Sequence, residues 1–386
     1  MIKIDPNKSP LSLYIHFPWC EKKCPYCDFN IEVNKKDGDE ELLLKAIIKD
    51  LDQSSHYIND RRFASVYFGG GTPSLVSVKI IEQLISKLTN EELLQDKCEI
   101  SFELNPKEVS EDYLNDLVDA GINRVSIGIQ SFDQKTLASL ERNHKSEDSF
   151  NAIKLASNMK SVNTTIDLIY GIMDQNLDSL TNDLKIFCDY DIDHLSLYQL
   201  TIEPNTIFYK KELRLPSEHL VESMEFEAKN ILNKNQLFQY EVSSWARNGS
   251  QSKHNMNYWM YGDYLGLGPG AHSKVTTKDN IKRMIKLKKV ASYILDPSKT
   301  VDTIITPEGY DLDLAMNLLR VKSGLSFDEI KNNNIFIQDS FVEKIEKGIK
   351  ANLLERDGLK ATDMGYKFLN DTVNTVYYTH MTLPTI

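Results

Sequence analysis

The chain has 386 residues, 41% hydrophobic and 26% charged, the balance of an ordinary globular protein and not of a disordered one. Its 45 Lys and Arg against 56 Asp and Glu leave a formal charge of −11. That argues against a nucleic-acid binder, which needs a basic surface to displace counterions. Five cysteines are too few for a disulfide framework, so a reducing cytoplasm is the expected setting.

The start, MIKIDPNKSP, is polar and unlike a signal peptide, and no apolar run of about 18 residues predicts a membrane span. LSLYIHF (11–17) reads as a first strand and DEELLLKAIIKDLDQ (39–53) as a helix. ASVYFG (64–69) is followed by VKIIEQLISKL (78–88), where Ile81, Leu84, Ile85 and Leu88 repeat at helical spacing. CEISFEL (98–104) precedes a helix that ends at Gly121, a suitable C-terminal cap. RVSIGIQ (124–130), NTTIDLIYGI (163–172) and HLSLYQLTI (194–202) are three further strands. Each precedes a helix, and Ser217 suits the N-cap of the last. Six β-then-α units imply an α/β fold with a parallel sheet and helical crossovers, either a partial six-unit (β/α) barrel or a doubly wound sheet.

After residue 240 the rhythm breaks. Residues 240–273, rich in Gly, Asn, Tyr and Trp, read as an ordered loop region. KVTTKDNIKRMIKLKK (274–289) reads as a solvated basic helix face, with a contact for anionic headgroups or carboxylates as the alternative. From Thr306 three helices, a hairpin around Asp357-Gly358 and a final helix suggest a winged-helix-like domain used for packing or as a lid. The division is then a core over 1–240, a connecting region over 241–305 and a helical domain over 306–375. VYYTHMTLPTI (376–386) continues no earlier pattern and reads as a non-native tail.

YIHFPWCEKKCPYCDFN (14–30) crowds Cys20, Cys24 and Cys27 into one loop after the first strand. A structural zinc site wants four ligands, and His16, four residues before Cys20 in a strand, is awkwardly placed to be the fourth. A [4Fe-4S] cluster held by three thiolates has one iron left open. An open iron can chelate the amino and carboxylate groups of S-adenosylmethionine. YFGGGTPS (67–74) follows the second strand, and its glycines would let backbone approach a ligand closely. Glu103 in SFELNP, Gln130 in SIGIQSFD, Arg142 in ERNH and Asp167 in TIDLIYG gather at successive strand ends, where the active sites of parallel barrels collect. His272 in GPGAHS is a candidate for the pocket wall and equally an ordinary loop residue. Cys98 and Cys188 read as structural.

CEKKCPYC, with Tyr26 before its third cysteine, resembles the cluster motif of the radical S-adenosylmethionine superfamily. The order of segments over residues 10–370 resembles the oxygen-independent coproporphyrinogen III dehydrogenases and the HemW-type haem chaperones. The resemblance implies a partial (β/α) barrel with a helical C-terminal domain. It implies that Tyr14, Gly70, Gly71, Thr72, Glu103, Gln130, Arg142, Asp167 and Thr201 hold S-adenosylmethionine. Glu103 would accept bonds from its hydroxyl or amino groups, Arg142 would pair with its carboxylate, and Asp167 would accept a polar hydrogen.

Two departures favour the chaperone branch. Phe29 stands where the dehydrogenase has a fourth cysteine, and Cys20 comes too early for that enzyme's longer N-terminal region. HNMNYW (254–259) resembles the H-N-x-x-Y-W motif of HemW-type proteins. His254 is then the expected axial ligand of haem iron, with Asn255, Asn257, Tyr258 and Trp259 shaping its pocket. The resemblance implies a haem chaperone carrying a [4Fe-4S] cluster and S-adenosylmethionine, with a haem acceptor protein and an electron donor such as flavodoxin or ferredoxin as partners. The alternative is an oxygen-independent coproporphyrinogen III dehydrogenase or a related radical enzyme of porphyrin metabolism.

Overall fold

A computed structural model of the chain describes residues 5–333 and 335–377. Six strands follow the sequence: β1 (Leu11–Phe17), β2 (Phe63–Gly70), β3 (Leu94–Leu104), β4 (Arg124–Gln130), β5 (Asn163–Tyr170) and β6 (His194–Gln199). They pair in parallel in chain order. The strands are buried on both faces, so they read as apolar runs and not as alternation. The crossover helices each bury one stripe. In the Val78–Asn90 helix Ile81, Leu84, Ile85 and Leu88 face the sheet while Glu82 and Gln83 are exposed. Side-chain caps fix several helix starts: Ser110 accepts from the Tyr113 N–H, Asn176 from Ser179 and Ser217 from Leu220. Gly121, with φ +103°, follows the helix end read at that position. Cys98 is buried in β3, and Cys188 is half-buried at a helix end.

Residues 240–273 are not a loop region. They contain β7 (Phe238–Glu241, reaching in from before), β8 (Ser244–Ala246), the Lys253–Trp259 helix, β9 (Asp263–Leu267) and the start of β10 (His272–Thr276). β9 pairs in parallel with the free side of β1, which makes it a seventh parallel strand. β10, β11 (Ile281–Lys286) and β12 (Thr300–Ile304) then extend that edge antiparallel. β8 and β7 extend the other edge beyond β6. These strands are short, and every residue of β9 is buried, so no alternating signature shows. Gly266 looks like a loop residue but is required inside a strand: a Cβ there would lie 2.1 Å from the His272 carbonyl oxygen.

The basic stretch 274–289 is likewise not a helix face, since it holds most of β10 and β11. Two of its lysines are buried in ion pairs. Asp263 receives Arg61 at 2.8 Å, Lys274 at 3.1 Å and the Thr276 N–H and hydroxyl, both at 2.9 Å. Asp50, on the Asp39–Gln53 helix, receives Lys286 at 2.5 Å and the Tyr293 hydroxyl at 2.7 Å. Cations that looked like surface charge thus fasten the added strands to the barrel, because two buried carboxylates need partners.

The C-terminal region has its own core, formed by Tyr310, Leu314, Leu318, Phe341, Ile345 and Leu359 with Tyr261, Ile281 and Ile305 from the preceding part of the chain. Helices Pro307–Leu318, Phe327–Asn332 and Asp339–Lys350 carry a small wing: β13 (Leu325–Ser326), between the first two helices, pairs with β14 (Gly358–Leu359) after the third, and Leu354 bridges Ala361. The last described helix is Leu369–Tyr377, so Val376 and Tyr377 continue the fold, and residues 378–386 lie outside the described residues. No described helix is long and apolar enough to cross a membrane.

Replacing Asp263 with alanine leaves Arg61 and Lys274 buried without their anion. The expected loss is about 3–5 kcal/mol of unfolding free energy, read by urea denaturation of wild type and Asp263→Ala.

Candidate cofactor site at the mouth of the barrel

In a parallel sheet the loops that leave the strands' C-terminal ends share one rim, and the sequence motifs lie there. The loop after β1 carries the three cysteines. It is closed on itself by backbone bonds, from Glu32 N–H to the Pro18 carbonyl at 2.7 Å and from Cys20 N–H to the Glu32 carbonyl at 3.1 Å. The glycine turn after β2 docks beneath it. Gly71 N–H donates to the Phe17 carbonyl at 2.7 Å and Thr72 N–H to the Trp19 carbonyl at 2.8 Å. A Cβ on Gly71 would sit 2.5 Å from the Trp19 oxygen, and one on Gly70, at φ +120°, 2.7 Å from the His16 ring. These glycines therefore allow a close approach to the cysteine loop itself, where the sequence suggested an approach to a ligand.

Cys20, Cys24, Cys27, Gly70, Gly71, Thr72, Glu103, Gln130, Arg142, Asp167 and Thr201 all line one cavity of about 360 Å³. Thr72 donates its hydroxyl to Cys20 Sγ at 3.4 Å. Arg142 reaches Cys24 Sγ at 3.6 Å, the Tyr26 hydroxyl at 3.2 Å and the Gly128 carbonyl at 3.1 Å. Burial pushes the Cys20 thiol up to about 11 and raises Cys27 as well, so a metal must displace those protons on binding. Among the described residues no three Cys, His, Asp or Glu side chains group tightly enough to grip a single ion. Three thiols on one loop, lining one cavity, fit the three-thiolate grip of a [4Fe-4S] cluster. Phe29, 56% exposed, lines the same cavity.

Polar side chains share the lining. Glu103 accepts from the Tyr67 hydroxyl at 2.9 Å and the Gly70 N–H at 3.1 Å, yet burial lifts its carboxyl to about 7. Asp167, accepting from Ser126 Oγ at 3.0 Å, is lifted by burial to about 6. Gln130 ends β4 with φ +67°, a conformation unusual for any residue but glycine. Asp183 holds the following turn through the Ser131 hydroxyl at 2.7 Å and the Phe132 N–H at 2.8 Å. Gln130 Oε1 and Arg142 Nε are buried with no partner among the described residues. Two orphaned polar groups on one cavity wall mark a place where a ligand's polar atoms complete the bonding.

Tyr14 and His254 are not in that wall. Tyr14 lies behind it, bonded to His16 Nδ1 at 3.0 Å and stacked on Tyr67. His254 is 3% exposed, below the cavity, against Tyr67 and Tyr258. Its Nδ1 meets Ser65 Oγ at 2.9 Å, and Ser65 donates onward to Ser12. With Ser65 donating to Ser12, Nδ1 would be the donor to Ser65, and Nε2 has no hydrogen-bond partner among the described residues. Burial lowers the ring to about 3. His272 is exposed and apart from the cavity. The sequence reading missed Ser126, Gly128 and Tyr198, which also line it. Ser126, Gly128 and Gln130 alternate along β4, so extending the period of two back from Gln130 finds the first two.

A model of the radical SAM superfamily matches residues 14–186. The heme chaperone HemW of Haemophilus influenzae is 36% identical over 379 residues, covering 95% of this chain and 97% of that one. HemW of Buchnera aphidicola from Acyrthosiphon pisum is 37% identical over 94% of this chain and 96% of that one. The chain belongs to the HemW family. Among solved structures, the coproporphyrinogen III oxidase HemN of Escherichia coli superposes on 98% of this HemW-family chain and 92% of its own, with a TM-score of 0.80 at 22% identity. The fold is therefore that of a radical SAM protein.

The raised carboxyls of this HemW-family barrel have a cost in alkali. The folded state holds the Glu103 proton up to about pH 7, while an unfolded glutamate loses it near its ordinary value of 4.5. Stability therefore falls as pH rises through that window. Glu103→Gln is expected to flatten the decline and to be on the order of 2 kcal/mol more stable than wild type at pH 8, measured by denaturation at pH 5 and pH 8.

Proposed function

We propose that this chain is a haem chaperone that carries a [4Fe-4S] cluster on Cys20, Cys24 and Cys27 and binds S-adenosylmethionine beside it. The observation that carries the cofactor reading is the cavity, which three thiols line together with Glu103, Gln130, Arg142 and Asp167. The chaperone reading rests on similarity across nearly the whole chain to proteins named heme chaperones, together with Phe29 in place of a further thiol.

The residues divide the work by their chemistry. A cluster bound there would supply an electron to the sulfonium of S-adenosylmethionine and an open iron for its amino and carboxylate groups. Arg142 presents a cation, the unpartnered Nε included, toward the ligand's carboxylate. Glu103 and Asp167 accept hydrogens, and a cationic ligand group beside Glu103 would draw off its raised proton. Gln130 Oε1 accepts one more donor. Gly70, Gly71, Thr72 and Thr201 complete the wall, and Tyr14 acts from behind it through Tyr67.

Haem is the cargo, and His254 is proposed as the ligand of its iron. The unpartnered Nε2 lone pair is the state that imidazole needs for iron. The ring is enclosed, so the Lys253–Trp259 helix must move for a macrocycle to reach it. That helix is held by the His254 N–H on Glu99 at 3.0 Å and by the Arg320 guanidinium 4.3 Å over Trp259. An acceptor protein and an electron donor of the flavodoxin or ferredoxin kind complete the proposed cycle in the cytoplasm.

Anaerobic reconstitution of wild type is expected to yield about four irons per chain, with a marked loss in Cys24→Ser. Zinc, or no metal, in the wild-type protein overturns the cluster. Haemin titrated into wild type should give a Soret band that shifts in His254→Ala, with affinity at least roughly tenfold weaker, the loss of about 1.4 kcal/mol of binding. An unchanged band removes His254 from the ligand role. Conversion of coproporphyrinogen III by the reconstituted protein would favour the dehydrogenase alternative.

A further inference from the structure

The cysteine loop leaves the barrel at β1, but the barrel is not its only anchor. Asn30, three residues after Cys27, donates its side-chain amide to the Pro269 carbonyl at 2.9 Å and the Lys288 carbonyl at 2.8 Å. Its own carbonyl meets His16 Nε2 at 2.8 Å. Two residues on, Glu32 accepts the Val290 N–H at 3.0 Å, and its backbone bonds close the loop at Pro18 and Cys20. Pro269 ends the turn after β9, and Lys288 and Val290 follow β11. Gly270 N–H bonds the Leu287 carbonyl at 3.0 Å, joining the two segments that Asn30 bridges.

Gly270 is shaped for this contact. It has φ +76°, and a Cβ there would lie 2.6 Å from Asn30 Nδ2. Gly268, at φ +103°, leaves room in the same way against the His16 carbonyl, 2.4 Å from where its Cβ would be. The added sheet thus presents two glycines and two carbonyl oxygens to the segment that closes the cysteine loop. A carboxamide is the one short side chain that can donate to both oxygens at once.

We infer that Asn30 is a positioning residue for the iron–sulfur cluster: it straps the cysteine loop to the β9–β11 sheet and so sets where Cys24 and Cys27 stand relative to Arg142 and the cavity. The inference rests on the cluster assignment above. It also links the cluster to the haem motif, because the Lys253–Trp259 helix runs directly into β9.

Two variants of the full chain test it. Asn30→Asp keeps the shape but removes both N–H donors and faces two carbonyl oxygens with a carboxylate. Gly270→Ala leaves Asn30 in place and pushes on its amide. After anaerobic reconstitution, iron loss to a chelator and the electron paramagnetic resonance spectrum of the reduced protein are measured with and without S-adenosylmethionine. Both variants are expected to lose iron roughly tenfold faster, as follows from losing two hydrogen bonds. Both should show an altered line shape and a smaller response to S-adenosylmethionine, with unchanged far-ultraviolet circular dichroism. Asn30→Gln, which keeps the amide, should recover part of the signal. Wild-type rates and spectra in either folded variant overturn the strap. A wild-type chain that takes up no iron overturns the cluster assignment instead, so the two failures are distinguishable.

Discussion

Parallel pairing is the constraint from which the rest follows. A parallel strand cannot be joined to its neighbour by a tight turn, so each return needs a helix on the outside of the sheet. Every loop after a strand must then open at one rim. The cysteine loop, the glycine turn, Glu103, Gln130 and Arg142 come from four strand units, yet they meet around one cavity because the topology leaves them no other end. The three cysteines and Arg142 sit on loops, while Glu103, Gln130 and Asp167 sit on the strands themselves, whose backbone network holds them in place.

The rim is also where the structure tolerates what it refuses elsewhere. Gln130 keeps a left-handed backbone, two carboxyls have raised proton affinity, and two polar groups lack partners among the described residues. Features of this kind persist where surrounding contacts fix them, here Asp183 under the Gln130 turn. They become favourable once a ligand of opposite charge and matching donors fills the space.

The strands added after β6 tie distant parts of the chain together. β9 sits against β1, carries Asp263 at its start and leads to the turn that Asn30 grips. The C-terminal region is fastened to the other edge, where Arg320 bonds Glu241 at 2.9 Å and Ser243 at 3.0 Å and covers Trp259. The helix bearing His254 is therefore clamped between barrel and C-terminal core.

Much of this was readable in the residues. The six β-then-α units were legible because a doubly buried strand needs an unbroken apolar run and an amphipathic helix needs its stripe at 3.6 spacing, both local properties. The cysteine spacing was legible because one short loop must wrap one small object. Residues 240–290 were not. β9 is five residues long and buried on both sides, Gly266 and Gly268 are there to admit another backbone, and Lys274 and Lys286 look like surface charge until Asp263 and Asp50 arrive from elsewhere in the chain. The sequence alone determined which residue types carry the chemistry and the class of fold that presents them. Only the tertiary structure decided that His254 is enclosed, that Tyr14 stands behind the wall and that Asn30 bridges to the added sheet, because each depends on contacts between segments far apart in the chain, which no local pattern encodes.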